Sequence, residues 1–142
     1  MFYHFKIHKE KKGFWAECIE LKGAVTQGKT IEELEKMMKE ALNLYLDEPS
    51  DSRLPVPLPK KNVKGNNIVK VPVDPSIAFA IMLRHLRMKN KLTQRQIASR
   101  LGMKDIFSYQ RLEKSSNPRL STLAKIKREF PDFNVDEIIQ VS

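Results

Sequence analysis

From Tyr3 to Lys9 the odd positions Tyr3, Phe5 and Ile7 are apolar and the even positions His4, Lys6 and His8 are polar. A period of two belongs to a strand with one face on a core and the other in water. Glu10-Lys11-Lys12-Gly13 supplies a turn, and Phe14 to Ile19 resumes as a second strand with Phe14, Ala16 and Cys18 on one side. Gly23 and Gly28 bracket a short third strand over residues 24–27. Beyond Thr30 the period lengthens. Ile31, Leu34, Met37, Met38, Ala41, Leu42, Tyr45 and Leu46 fall at helical spacing, predicting a helix from Ile31 to about Asp47 with one wide apolar face for a sheet. Thr30-Ile31-Glu32-Glu33 has the form of a capping box, whose hydroxyl and carboxylate each satisfy a backbone N–H at the helix start. The methionine and aromatic stripe reads as core packing.

Leu54-Pro55-Val56-Pro57-Leu58-Pro59 alternates proline with aliphatic residues, so every second backbone donor is missing and only an exposed connector or an edge is possible. Ile68 to Val73 is a further strand, bounded by Pro72 and Pro75, and the domain boundary is placed at about residue 74. After it the pattern is helical throughout. Asp74-Pro75 opens a helix to about Asn90 with Phe79, Leu83 and Leu86 inward. Thr93-Gln94-Arg95-Gln96 is a second capping box, opening a helix with Ile97, Ala98 and Leu101 inward and Gly102 as its stop. A third helix runs to about Lys114. A fourth follows the Asn117-Pro118 turn, marked by Leu120, Leu123, Ile126 and Phe130, and a fifth starts near Asn134 and ends near Val141. The expected fold is α+β: a small N-terminal sheet with one packed helix over 1–73, joined to an all-α five-helix domain over 74–142.

Charge changes this picture more than composition does. Residues 1–73 carry 13 Lys/Arg against 10 Asp/Glu, a balance of +3, and residues 74–142 carry 13 against 7, a balance of +6. All 13 basic residues of the second half lie between Arg84 and Arg128, where Asp105 and Glu113 are the only acids, so that window holds +11. A surface that releases condensed counterions from phosphates needs such a concentration, although a solvated basic face has the same composition. No apolar run approaches the roughly 20 residues that span a bilayer, and no secretory signal is visible. With the single cysteine, Cys18, unable to form an internal disulfide, these features lead us to expect a cytoplasmic protein.

The stretch Leu92-Thr93-Gln94-Arg95-Gln96-Ile97-Ala98-Ser99-Arg100-Leu101-Gly102, with Tyr109-Gln110-Arg111-Leu112-Glu113 and Asn117-Pro118, resembles the Cro/cI-type helix-turn-helix family. In that family the second helix crosses the phosphate backbone and the next enters the major groove. The resemblance implies that Gln94 contacts phosphate and braces the base-reading side chains. It puts Ser108, Gln110 and Arg111 on the recognition helix, and Arg95 and Lys104 among the DNA-binding residues. Arg111 is the best candidate for direct readout, because a guanidinium pairs bidentately with guanine. Arg119 is a candidate for a minor groove or a phosphate, and Phe107 for a thymine methyl or a plug in the turn. The resemblance also implies an ion pair between Arg87 and Glu113, with a structural role. Gly102 to Glu113 holds one residue more than the family spacing, which leaves Lys104, Asp105, Ile106 and Phe107 as alternative starts of the recognition helix.

The first half carries Tyr3-x-Phe5-x-Ile7, Gly13-Phe14-Trp15-Ala16-Glu17, Thr26-Gln27-Gly28-Lys29-Thr30-Ile31-Glu32-Glu33 and Glu40-Ala41-Leu42, and resembles HicB-type antitoxins, whose N-terminal domain is a partial ribonuclease-H-like fold. It departs from them at Glu20 to Val25. The resemblance implies an antitoxin of a type II pair that binds and blocks a HicA-type mRNA endonuclease and represses its own operon on double-stranded operator DNA. The acids Glu17 and Glu20 are the candidates to meet a basic toxin. No catalytic residue, cofactor or metal is expected: ribonuclease H chemistry needs convergent carboxylates holding two metal ions. His4 and His8, four strand residues apart, are separated by about 13 Å. A homodimer or higher oligomer is expected, because two recognition helices must sit one DNA turn apart. The last helix either supplies that contact or closes the domain core. The alternative is a phage-type repressor whose N-terminal domain senses a ligand or oligomerises and has no toxin partner.

Overall fold

A computed structural model describes residues 1–47, 56–114 and 116–140. These form two compact units, one of residues 1–47, 56–74 and 140, the other Pro75–Ile139. In the first, strands β1 (Phe2–Glu10), β2 (Gly13–Cys18), β3 (Val25–Gly28) and β4 (Ile68–Pro72) make one antiparallel sheet in the order β3-β2-β1-β4, and helix α1 (Ile31–Leu46) connects the two edges. Gly13 ends the hairpin turn after Lys12 at φ +124°, where a side chain is strained. Directly paired residues share a sheet face, so Phe5 stands between Cys18 and Val69, and Ile7 beside Ala16. On the helix, Leu34, Met38, Leu42 and Leu46 are buried at a spacing of four and join Tyr3, Phe5 and Ala16 in the core. Thr30 caps α1 by accepting from the Glu33 N–H, while the Glu33 carboxylate accepts from Lys29 N–H, one residue before the cap.

The inward and outward alternation fails at one strand position. His4, expected on the wet face, is buried, because the loop after β2 returns Glu20 to it. Ile31, expected in the apolar stripe, is exposed at the first turn of α1. It borders an open groove of about 350 Å³ between α1 and β4 that Met38 and Val69 also line. Of the proline segment, residues 54 and 55 lie outside the described residues. Residues 56–59 form no strand, and the Pro57 carbonyl accepts a 2.7 Å hydrogen bond from the Tyr3 hydroxyl.

The second unit holds helices α2 (Pro75–Lys89), α3 (Gln94–Arg100), α4 (Ile106–Leu112), α5 (Leu120–Glu129) and α6 (Val135–Ile139). Phe79, Leu83, Leu86, Ile97, Ala98, Leu101, Tyr109, Ile126, Phe130, Phe133 and Ile138 are its buried residues of most consequence, with Phe79 and Phe133 meeting edge to face at 6.3 Å. Both parts of the box at α3 are present: Thr93 accepts from Gln96 N–H and Gln96 accepts from Thr93 N–H. Gly102 takes φ +70° just past the helix, a conformation without steric cost for glycine alone. Leu120, which the pattern placed first in the fourth helical stripe, is 83% exposed at the start of α5. Ile138 of α6 is buried, whereas Ile139 is exposed; Val141 lies outside the described residues. Among the described residues no helix is long and apolar enough to cross a membrane.

Candidate functional site

Three helices of the second unit meet at one buried carboxylate. Glu113, the C-cap of α4, is 1% exposed. Its Oε1 accepts from Arg87 Nε at 2.6 Å and from the Tyr109 hydroxyl at 2.5 Å, and its Oε2 from Arg87 Nη2 at 3.3 Å and Gln94 Nε2 at 2.9 Å. Arg87 comes from α2, Gln94 from the first turn of α3, and Tyr109 from α4 one helical turn before Glu113. A buried charge is tolerated only when its lone pairs are satisfied, and four donors do that here. The electrostatics follow. Burial opposes the charge on Arg87, but hydrogen bonding and attraction from Glu113 outweigh it and raise its pKa. Burial, then the Glu113 charge, pushes the Tyr109 phenol well above its ordinary range. Gln94 Oε1 accepts from Gln110 Nε2 at 3.1 Å, so the network continues onto the outer part of α4.

Asp105 is the N-cap of α4, accepting from Ser108 N–H at 2.8 Å, and this sets the helix start at Ile106. Met103 and Lys104 thus lie in the turn before the cap, outside α4. The Ser108 hydroxyl also bonds the Asp105 carboxylate. These bonds, the backbone one first, hold the Asp105 pKa below its ordinary value. Phe107, one turn-plug alternative notwithstanding, is 66% exposed at the N-terminal end of α4. Arg95, Lys104, Arg111 and Arg119 are exposed, Arg119 at the N-cap of α5 without a capping hydrogen bond from its side chain. Gln94 and Gln110 are half-buried. The structure thus brings Arg87, Gln94, Gln110 and Glu113 into one network and leaves the cations of α3, α4 and the turns in water.

In the first unit the two candidate acids part company. Glu17 is half-exposed, 3.3 Å from His8 Nε2, and His8 stacks on Trp15 with ring centroids 4.0 Å apart. Glu20 is not an exposed acid, contrary to expectation: it is 8% exposed and engaged on every side. It accepts from His4 N–H at 2.9 Å and Lys60 N–H at 3.2 Å, faces His4 Nδ1 at 2.8 Å and lies 3.8 Å from Cys18 Sγ. Its carboxylate clasps the loop after β2 and the segment before β4 onto β1, which removes it from any partner surface. Beside it, burial first and the Glu20 charge among the lesser causes push the Cys18 thiol up to about 11.

Two buried contacts escaped the sequence reading. Tyr109 belongs to the helix-turn-helix stretch and stands four residues before Glu113, a helical spacing that signals contact, but the resemblance assigns its hydroxyl no role. The His4 and Glu20 pair spans 16 residues of chain and has no local signal.

The chain matches the family model described as HicB-like antitoxin of bacterial toxin-antitoxin systems over residues 3–78. It is 27% identical over 90 residues to the antitoxin HicB of Escherichia coli strain K12, covering 63% of this chain and 64% of that protein. Antitoxin HicB 1 of Photorhabdus laumondii subsp. laumondii is 26% identical over 117 residues, 82% of this chain and 73% of that protein. The chain thus spans just under two thirds of the length of the Escherichia coli relative. With a family match running from β1 into α2, the chain belongs to the HicB-like antitoxins of bacterial toxin-antitoxin systems.

Proposed function

We propose that this protein neutralises a HicA-type mRNA endonuclease through residues 1–73 and represses its own operon by binding operator DNA through residues 74–142, in the cytoplasm and without enzymatic activity of its own. The observation that carries the DNA half is the Glu113 hub. It locks α2, α3 and α4 together at the point where a helix-turn-helix must hold its recognition helix, and Phe107 and Arg111 are exposed on α4, with Lys104 exposed in the turn before it. Gln94 and Arg95 meet phosphates; Gln110 and Arg111 read base edges; Phe107 meets a thymine methyl, Ser108 adds a hydroxyl at the same end, and Arg119 meets a phosphate or the minor groove. Family membership supports the toxin half, with Glu17 as an acid placed to meet a basic toxin. The active protein is a homodimer or higher oligomer, with the exposed Ile139 of α6 at the contact.

The test uses the full-length chain. Co-expression with a HicA-type toxin is expected to rescue growth and yield a stable complex, and Arg111→Ala is expected to keep that rescue while losing operator affinity. Failure of rescue and of complex formation with wild type, together with intact repression, establishes the plain repressor instead. Unchanged affinity and base preference in Arg111→Ala removes that residue from readout.

A further inference from the structure

The sheet of the first unit has two unlike faces. α1 packs on the one that holds Tyr3, Phe5 and Ala16. Side chains alternate across a strand, so Phe2, Lys6 and His8 of β1 point the other way, together with Trp15 and Glu17 of β2 and Lys70 of β4. Contacts on that side agree: Trp15 stacks on His8 with centroids 4.0 Å apart and planes at 14°, and Lys70 Nζ stands 5.1 Å from the Phe2 ring centre. Among the described residues of this unit no second helix covers this face. His4, also on it, is closed off by Glu20, but Phe2, His8 and Trp15 are only half-buried and Lys6 and Lys70 are exposed. Charge divides the same way. α1 carries four glutamates against two lysines, a balance of −2, whereas the other described residues of 1–73 carry ten lysines against four acids, a balance of +6. Two of those lysines, Lys11 and Lys12, lie exposed in the hairpin turn just beyond Trp15 and His8.

We infer that this open face is a binding platform for single-stranded RNA, a function separate from toxin neutralisation and operator binding and dependent on neither. Unstacked bases lie on aromatic rings whatever their identity, and the phosphates between them need cations. A base extends the Trp15 and His8 stack on the two central strands. Lys6 and Lys70 stand between that stack and Phe2, about 20 Å from His8 along β1, and receive the phosphates. A duplex keeps its bases stacked on one another and has none to offer the rings. Gln27, exposed and paired with Trp15 across the strands, supplies an amide for the 2′-hydroxyl that distinguishes RNA from DNA. Glu17, 3.3 Å from His8 Nε2, is the acid among these residues and opposes a phosphate.

Trp15 is the protein's single tryptophan, so its emission reports on this face alone. The full-length protein is titrated with a short oligouridylate, with the matching deoxyribose strand and with duplex RNA, while Trp15 fluorescence and the anisotropy of labelled strand are followed together. Oligouridylate is expected to quench Trp15 saturably, the deoxyribose strand to bind this face more weakly, and duplex RNA to leave the emission unchanged. His8→Ala keeps the reporter and should weaken the quenching affinity about tenfold, the loss of one stacking partner. Lys6→Glu should weaken it as well, and Glu17→Gln should strengthen it, with thermal melting of each variant confirming the fold. A rise in anisotropy without quenching places the RNA on the basic second unit and overturns the platform. Equal quenching by duplex RNA, or an affinity unchanged in both His8→Ala and Lys6→Glu, overturns it too. Equal affinity for the deoxyribose strand overturns the assignment to RNA. If Trp15 emission answers a HicA-type toxin and no nucleic acid, the face is a protein-docking surface and the inference fails, with toxin neutralisation left intact.

Discussion

Arg87 and Glu113 make a closed pair whose value lies in its completeness. Replacing both ends of a buried ion pair with apolar groups of similar volume is often neutral, whereas removing one end strands the other. Arg87→Ala leaves the Glu113 carboxylate, 1% exposed, with Tyr109 and Gln94 as its remaining donors, and is expected to cost about 3 kcal/mol in chemical denaturation. An Arg87→Met/Glu113→Leu double variant should recover part of that loss, giving a favourable coupling in a double-mutant cycle; strictly additive losses would show that the two side chains act independently. Cys18 makes the complementary case of a group kept neutral. Its folded-state pKa of about 11 stands above the ordinary 9, so the thiol contributes stability that is full below pH 9 and is lost as pH rises towards 11. Cys18→Ala is expected to flatten that part of the alkaline denaturation curve. Some decline will persist because burial also raises the Tyr3 phenol. In the folded wild type at pH 8, a thiol reagent should label Cys18 far more slowly than in urea.

Elements meet at tight points, and Gly28 is one. A Cβ there would lie 2.7 Å from Leu34 N and 2.9 Å from Leu34 Cα, both backbone atoms at the start of α1 that cannot swing aside. Gly28→Ala is therefore expected to destabilise the first unit by about 1–3 kcal/mol, read as a lower denaturation midpoint. A neutral result would mean that the entry of α1 can shift without loss. The Thr26-Gln27-Gly28 run that marked this region in the sequence thus has a steric reason. Periodicity and caps made β1, β2, α1 and the five helices of the second unit legible, because alternation, capping boxes and Gly102 act within a few residues. Burial of His4 and Glu20 was not legible, since a polar residue on a strand reads as wet until a loop from elsewhere covers it. The start of α4 was ambiguous for a different reason. Several residues could begin the helix, and the short carboxylate of Asp105, by accepting from Ser108 N–H, makes Asp105 the N-cap and Ile106 the first helical residue. Arg87 and Glu113 were legible as a pair only through family resemblance, and Tyr109 only as a position of the same motif, without a role for its hydroxyl.

At the scale of the whole molecule the charge distribution bears on the proposed DNA binding, because it would act before any base is read. The stretch from Arg84 to Arg128 carries +11, and its exposed cations include Arg95, Lys104, Arg111 and Arg119. Not every cation there is available: Arg87 is committed to Glu113, Lys89 pairs with Asp132 at 2.8 Å, and Arg100 stands over the Phe130 ring at 4.6 Å. Each phosphate neutralised releases condensed counterions, so the logarithm of affinity falls with the logarithm of salt concentration with a slope of about −0.9 per phosphate contact. If Arg95 meets a phosphate, as proposed, Arg95→Ala in the full-length protein should make that slope shallower by about 0.9 on operator and random DNA alike. Arg111→Ala should instead lower affinity for the operator far more than for random DNA, since a base contact distinguishes the two. Lys89→Ala is the control, because an ion pair already satisfied within the protein releases no counterions from DNA. A slope unchanged in Arg95→Ala, or one that changes as much in Lys89→Ala, would show that the +11 acts as a diffuse field rather than through the first turn of α3.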